Sequence, residues 1–290
     1  MKLGMVGLGR MGGNMATRLR RHGHQVIGYD RDSEITQVGS LEGLVAALDG
    51  EPRRVVWLML PAGDPTDLTI VALGELLDAG DLLVDGGNSN WRDSIAHARR
   101  LAQRGIDLVD AGVSGGVWGL EEGFCLMLGG ADRDVADLRP VLDALATAGG
   151  HAHVGPVGAG HFAKMVHNGV EYALMEAYAE GYELLRATDL DIDVPAAVEV
   201  WRHGSVVRSW LLDLFADALA QDPDLDRVRG YAEDSGEGRW TVQTAVDLAV
   251  PVPAIAAALF ARFASRQHDS PAMRVIAILR HRFGGHQVRP

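Results

Sequence analysis

Cysteine, lysine and long apolar runs are all scarce in this 290-residue chain, and each scarcity excludes something. The single cysteine, Cys125, forbids an internal disulfide and fits a reducing cytoplasm. It lies between Phe124 and Leu126 and reads as a core residue. No apolar run approaches the roughly 18 residues that a membrane-spanning helix needs. The opening Met1-Lys-Leu-Gly-Met-Val-Gly7 enters a strand at once, which leaves no room for a signal peptide, so a cytoplasmic location is expected. Basic blocks and stripes are missing and the net charge is −12, which argues against a nucleic-acid partner. What remains, at 47% hydrophobic residues, is ample for one large core or two smaller ones.

The scarcity of lysine directs attention to Lys164. Of 27 basic residues only Lys2 and Lys164 are lysines, so 27 − 2 = 25 are arginine. An amine can be shifted to its neutral form and act as a base, whereas a guanidinium effectively cannot. Around it runs Gly160-His-Phe-Ala-Lys164-Met-Val-His167-Asn168-Gly-Val-Glu171-Tyr172. Lys164, His167, Asn168, Glu171 and Tyr172 are spaced i, i+3, i+4, i+7 and i+8, so on a helix they share a stripe about 140° wide. Met165, Val166, Val170, Ala173 and Leu174 occupy the other faces. The pattern predicts a buried helix whose polar stripe lines a cavity.

The chain has two halves with different periodicity. Strands are expected at Leu3–Gly7, Gln25–Tyr29, Val55–Leu60, Leu82–Asp85, Asp107–Ala111 and Phe124–Leu128, with helices over 10–22, 40–49, 64–79, 91–104 and 132–148. Such alternation predicts a doubly wound parallel sheet of the Rossmann type, an α/β domain over residues 1–156. From 157 to 290 the strands stop and an all-α domain is expected, with helices over 157–187, 193–203, 206–221, 239–249, 252–267 and 271–283.

Gly7-Leu8-Gly9-Arg10-Met11-Gly12 follows the first strand and opens a helix, as a dinucleotide-binding GxGxxG requires. Gly7 permits the tight turn, Gly9 admits the pyrophosphate, and Gly12 lets helix and sheet pack closely. Asp30 ends the second strand, where an acid holds the adenosine ribose diol and repels a 2′-phosphate. NAD is therefore favoured, with NADP the alternative, since Arg31 can bind a 2′-phosphate, stack on adenine or face solvent. Asp85-Gly-Gly-Asn88-Ser89 and Ser114-Gly115-Gly116 follow later strands, where loops of such a sheet form the ligand crevice. Their amides and hydroxyls suit a polyhydroxy or carboxylate ligand. Either segment alone could equally be turn chemistry.

Taken together these segments resemble the decarboxylating 6-phosphogluconate dehydrogenase family, in a short form that lacks much of the long form's helical domain. The resemblance extends to Asp110-Ala-Gly-Val-Ser-Gly-Gly116, Asp234-Ser-Gly-Glu-Gly-Arg-Trp240-Thr241, Leu259-Phe-Ala-Arg262 and Arg280-His-Arg-Phe-Gly-Gly-His286. It implies that Lys164 is the general base and Glu171 the general acid. It further implies that Asn88, Ser114, Gly115, Gly116, His167 and Asn168 hold the sugar acid, Asn88 also bordering the cofactor. Tyr172, Arg262 and Arg280 would hold its phosphate, with His286 arriving from the tail of a neighbouring subunit. A homodimer or homotetramer with shared active sites is expected. Two departures stand out. Where long members carry a phosphate-binding lysine before the tryptophan, this chain offers Glu237 and Arg239; where long NADP-dependent members have Asn-Arg-Thr, it has Asp30-Arg31-Asp32.

The residue types suit the implied chemistry. Oxidation of a secondary alcohol needs a neutral base, the resulting β-keto acid can lose CO2 without a metal, and the enediol left behind needs an acid. No His/Cys/Asp cluster has metal-ligand spacing. The nearest rival is a non-decarboxylating β-hydroxyacid dehydrogenase of the 3-hydroxyisobutyrate type. It shares GxGxxG, Ser-Gly-Gly and a Lys with an Asn four residues on, but its small substrate would give Arg262, Arg280 and His286 no phosphate to bind.

Overall fold

The computed structural model describes residues 1–289 and divides into two compact units, Met1–His167 and Asn168 onward. Seven strands form the first unit's sheet: β1 (Lys2–Val6), β2 (Gln25–Tyr29), β3 (Val55–Leu58), β4 (Leu82–Asp85), β5 (Asp107–Ser114), β6 (Phe124–Gly129) and β7 (Ala146–Gly155). Their spatial order is β2-β1-β3-β4-β5-β6-β7. The intervening helices are α1 (Arg10–Arg21), α2 (Leu41–Ala46), α3 (Asp64–Leu76), α4 (Trp91–Ala102), the single turn α5 (Gly119–Glu122), α6 (Asp132–Asp137) and α7 (Arg139–Leu145).

Strand alternation sends side chains to two cores. Leu3, Met5, Trp57, Val84 and Val109 pack with Met15 and Leu19 of α1 and Leu142 of α7. Val6, Val56, Leu58, Leu83 and Leu108 pack on the other face with Leu44, Ile70 and Leu101 of α2, α3 and α4. With both faces covered, β3 and β4 are buried at every residue, as central parallel strands are.

The sheet departs from expectation at two places. β6 runs antiparallel to β5, with Ser114 opposite Cys125 and Ala111 opposite Leu128. Only residues 115–123 join these strands, too few for a crossover, which takes a dozen or more residues. The second is β7, which occupies the end of the segment expected to be helical over 132–148 and pairs parallel with β6 at the sheet's edge. Its Thr147-Ala-Gly-Gly-His-Ala-His153 lacks apolar alternation because most of the strand faces solvent. Cys125 also departs from expectation: it is exposed, because alternation along β6 buries Phe124, Leu126 and Leu128 and turns Cys125 the other way.

The long helix α8 (Ala159–Ala187) contains the division between the units. The second unit continues with α9 (Val194–Trp201), α10 (Trp210–Gln221), α11 (Glu237–Asp247), α12 (Pro253–Ser265) and α13 (Pro271–Gly284). The side chains of Asp193 and Ser209 cap α9 and α10 by accepting from Ala196 and Leu212 N–H. Val198, Leu212 and Leu219 form one small core with Tyr178 and Tyr182, and Tyr172, Ala258 and Leu259 form another.

Candidate active site

The glycine motif has the geometry that its sequence requires. Gly7 sits at φ +89°, and a Cβ there would lie 2.4 Å from the Met59 carbonyl oxygen. A Cβ on Gly12 would lie 1.9 Å from Gly7 O, which is why helix and turn can approach only with glycine at both positions. Gly9 faces open space instead, and as the N-cap of α1 it offers no side-chain hydrogen bond to the helix N–H groups. A helix N-terminus with a clear approach suits a pyrophosphate. Leu8 and Met11 are half-buried, and Arg10 and Arg31 are exposed.

Asp30 accepts from the Leu8 N–H at 2.6 Å and the Asp32 N–H at 3.0 Å. Partial burial pushes its carboxyl upward, but the backbone donors of Asp32, Leu8 and Arg31, with the Arg31 charge, outweigh that and hold it below its ordinary value. An ionised carboxylate thus stands beside the glycine turn. These residues fit a dinucleotide with a free ribose diol.

β4 and β5 deliver the next groups. Asn88 is exposed in the loop after β4, and Ser114 is the last residue of β5 rather than part of the loop, because that strand runs three residues beyond Ala111. Gly115 (φ +120°) and Gly116 (φ +54°) then turn the chain into a short 3-10 segment, Gly116–Trp118. Asn14 of α1 donates to Val117 O at 3.3 Å, and Arg18 donates to Leu120 O and Glu121 O. The helix of the glycine motif is therefore tied to the segment that follows Ser-Gly-Gly.

On α8 the polar stripe is the buried one. Lys164, Asn168 and Tyr172 are 8%, 8% and 4% exposed, and His167 and Glu171 are half-buried. The apolar residues Val166, Val170 and Leu174, one turn apart, are exposed, which corrects the expectation that apolar contacts bury the helix all round. Lys164 packs closely on β5: a Cβ on Gly112 would lie 2.4 Å from Lys164 Cβ. His161, three residues before Lys164 and so on the same side of the helix, is also buried. Nothing but its i−3 spacing marked it in the sequence.

In the second unit the Arg262 guanidinium lies over the Tyr172 ring, 3.6 Å from its centroid, and donates to Glu233 O. Tyr172 Oη accepts from Ser235 N–H at 3.2 Å. Glu237 is buried and accepts from Ser235 Oγ at 2.6 Å. Arg239 and Arg266 pair with Asp234, and the hydrogen bond from Arg239 is the main reason that its carboxyl lies below its ordinary value. Tyr172 and Arg262 are thus brought together, while Arg239 is engaged with Asp234. Arg280 and His286 are exposed, on α13 and just beyond it, and among the described residues no hydrogen bond or ring contact joins either to Tyr172 or Arg262. Among the described residues no three His, Cys, Asp or Glu side chains converge as metal ligands, and no helix is long and apolar enough to cross a membrane.

Comparison with known proteins covers nearly the whole chain. Residues 2–158 match the family described as the NAD binding domain of 6-phosphogluconate dehydrogenase, and residues 160–282 match the 6-phosphogluconate dehydrogenase C-terminal domain. The NAD(+)-dependent, decarboxylating 6-phosphogluconate dehydrogenase of Haloferax volcanii is 43% identical over 99% of this chain and 98% of its own length. The structure superposes on Plasmodium falciparum 6-phosphogluconate dehydrogenase, solved as apoenzyme and with NADP+ and 6-phosphogluconate. The TM-score is 0.84 at 25% identity, covering 100% of this chain and 67% of that one. The 3-hydroxyisobutyrate dehydrogenase of Mycobacterium tuberculosis aligns with TM-score 0.74 at 24% identity over 96% of this chain and 99% of its own, a likeness of fold alone.

Proposed function

The chain belongs to the 6-phosphogluconate dehydrogenase family, and on that premise we propose how its own residues serve the reaction. The enzyme oxidises and decarboxylates 6-phosphogluconate to ribulose 5-phosphate and CO2, with NAD or NADP as cofactor. The nicotinamide, when bound, supplies the hydride acceptor. Gly7, Leu8, Gly9, Arg10, Met11 and Gly12 cradle its pyrophosphate, and Asp30 selects the ribose diol, which favours NAD. In this reading residues 1–156 form the dinucleotide-binding domain, which also lends Asn88 and Ser114-Gly115-Gly116 to the substrate, and residues 157–290 form the helical substrate and dimerisation domain.

Neutral Lys164 takes the proton of the substrate's C3 hydroxyl, and as lysinium returns it to the C3 oxygen while the carboxylate leaves as CO2. Glu171, two turns along the same helix, then protonates the carbon that carried the carboxylate. Asn88, Ser114, Gly115, Gly116, His167 and Asn168 hold the sugar acid, and Tyr172 and Arg262 begin a phosphate site that Arg280 and His286 complete. The observation that carries this assignment is the one α8 stripe, which presents a nearly buried lysine and a half-buried glutamate in register with Asn168 and Tyr172.

The tail arrives from a second copy in a homodimer, or in a tetramer built from dimers. That reading is supported by α13, which buries none of its residues and exposes Met273, Val275, Ile276, Leu279 and Phe283. A cytoplasmic location belongs to the same proposal, since a phosphorylated sugar acid does not cross membranes unaided.

The test is steady-state turnover of 6-phosphogluconate with NAD and NADP in parallel, with CO2 release followed. Stoichiometric CO2 and reduced cofactor are expected, faster with NAD. Reduction of cofactor by 3-hydroxyisobutyrate, with none by 6-phosphogluconate, would reverse the assignment in favour of the rival.

A further inference from the structure

A buried carboxylate outside the proposed catalytic set holds the start of the helix that carries Lys164. Asp110, on β5, is fully buried, and its two oxygens accept from the backbone N–H groups of Gly158 at 2.6 Å and His161 at 2.7 Å. These donors lie at the N-terminal end of α8, where helix N–H groups have no intrahelical partner. The cap thus comes from a strand some fifty residues earlier, whereas most helices are capped by a neighbour in sequence. The His161 ring is fixed as well: its Nδ1 shares a 2.7 Å hydrogen bond with Ser94 Oγ of α4, and Asp110 Oδ2 lies 4.0 Å from the same nitrogen. Ser94, Asp110 and His161 are all buried.

Three glycines make this seat possible, and none of them needs its freedom of φ. A Cβ on Gly160 would lie 2.5 Å from the carbonyl oxygens of Asp110 and Met127. One on Gly129 would lie 2.4 Å from Asp110 Oδ1, and one on Gly112 would lie 2.4 Å from Lys164 Cβ. The backbone of α8 therefore lies directly on β5 and β6, with no side-chain layer between. Asp110, Gly112 and Ser114 are alternate residues of β5 and share one face. A single strand thus holds the cap, the surface against Lys164, and the first residue of Ser114-Gly115-Gly116.

We propose that Asp110, backed by His161 and Ser94, is a positioning residue that sets Lys164 in register with the Ser114-Gly115-Gly116 segment. The inference rests on Lys164 being the base. Burial holds the Asp110 carboxyl above its ordinary value, while His161 and the two backbone donors act in the opposite direction. An asparagine in its place would turn an NH2 toward one of the two N–H donors and release half of the cap. A displacement of about 1 Å at a catalytic group can cost on the order of 10²-fold in rate.

The experiment compares Asp110→Asn, Ser94→Ala and Lys164→Ala in the intact enzyme. It measures NAD affinity by fluorescence titration, and kcat with ordinary and 3-deuterated 6-phosphogluconate. Asp110→Asn should bind NAD as the parent does, lose on the order of 10²-fold in kcat, and show a larger deuterium isotope effect because hydride transfer becomes limiting. Ser94→Ala should move in the same direction by roughly tenfold. A helix cap with only a structural role would leave the isotope effect unchanged. Parental kcat and isotope effect in either variant, with NAD binding intact, overturn the proposal. Should Asp110→Asn lose NAD binding through misfolding, Ser94→Ala decides by the same criteria. Lys164→Ala separates the two readings: if it remains active, the base assignment fails, whereas an inactive Lys164→Ala beside a fully active Asp110→Asn refutes positioning alone.

Discussion

The two units solve the problem of apolar surface in opposite ways. In Met1–His167 a sheet is covered on both faces, and residues such as Leu3, Trp57, Leu83 and Val109 are withdrawn from water completely. From Asn168 onward there are two small clusters, and α13 contributes to neither with a buried residue. Val206, Val246, Phe260 and Leu279 remain exposed. A sheet with βα crossovers buries its own hydrophobic faces, because each helix returns over the strands it connects. A set of helices has no such obligation and can leave a face for a partner. The first unit is thus built around its own two-faced core, whereas the second leaves apolar helix faces uncovered.

The largest effect that could break this contrast is at the tail. An Arg280→Ala/His286→Ala variant should lose turnover while keeping NAD affinity, because the glycine turn and Asp30 lie in the other unit. Mixed with Lys164→Ala under subunit exchange, it should recover about a quarter of parental activity, since half the dimers are then mixed and each carries one complete site. No recovery once mass spectrometry has shown exchange would mean that each tail serves its own chain.

A smaller effect concerns stability. Leu83→Ala, in the sheet core, should cost about 2–5 kcal/mol in urea unfolding. Leu279→Ala, on α13, should cost about 0.5 kcal/mol or less in the dissociated chain, as an exposed site does, but weaken self-association in sedimentation. Equal losses of intrinsic stability would erase the distinction between the units.

The smallest effect separates the units by pH. Asp234 lies below its ordinary 3.8, chiefly through Arg239, so its contribution is present above that pH and is lost as pH falls through the folded value. Asp110 lies above 3.8 because of burial, so its ionisation lowers stability as pH rises from 3.8 toward the folded value. In melts between about pH 3 and 6, Asp234→Asn should flatten the acid-side loss and Asp110→Asn should steepen it. Identical slopes in the two variants would contradict the assigned signs.

Six of the seven strands were legible because each carries a run of apolar residues, while β7, an exposed edge of small and polar residues, carries none. Cys125 was misplaced for a related reason: its apolar neighbours are evident in the sequence, but which of two strand faces meets a core is not. The α8 stripe was legible as a helical period. Which side of that helix is buried was not, because burial depends on what packs against it, and there the polar side is the covered one.

Local features were therefore determined by sequence alone: the glycines of the GxGxxG turn, the acid just after β2, and a lysine and glutamate two helical turns apart. Each follows from covalent sterics or helical period over a few residues. Only the tertiary structure decided that β6 reverses, that Asp110 caps a helix some fifty residues away, and that Gly112, Gly129 and Gly160 bring that helix onto the strands without side chains between. Those outcomes depend on which distant segments come within a few ångströms of each other, and no local period in the chain encodes that distance.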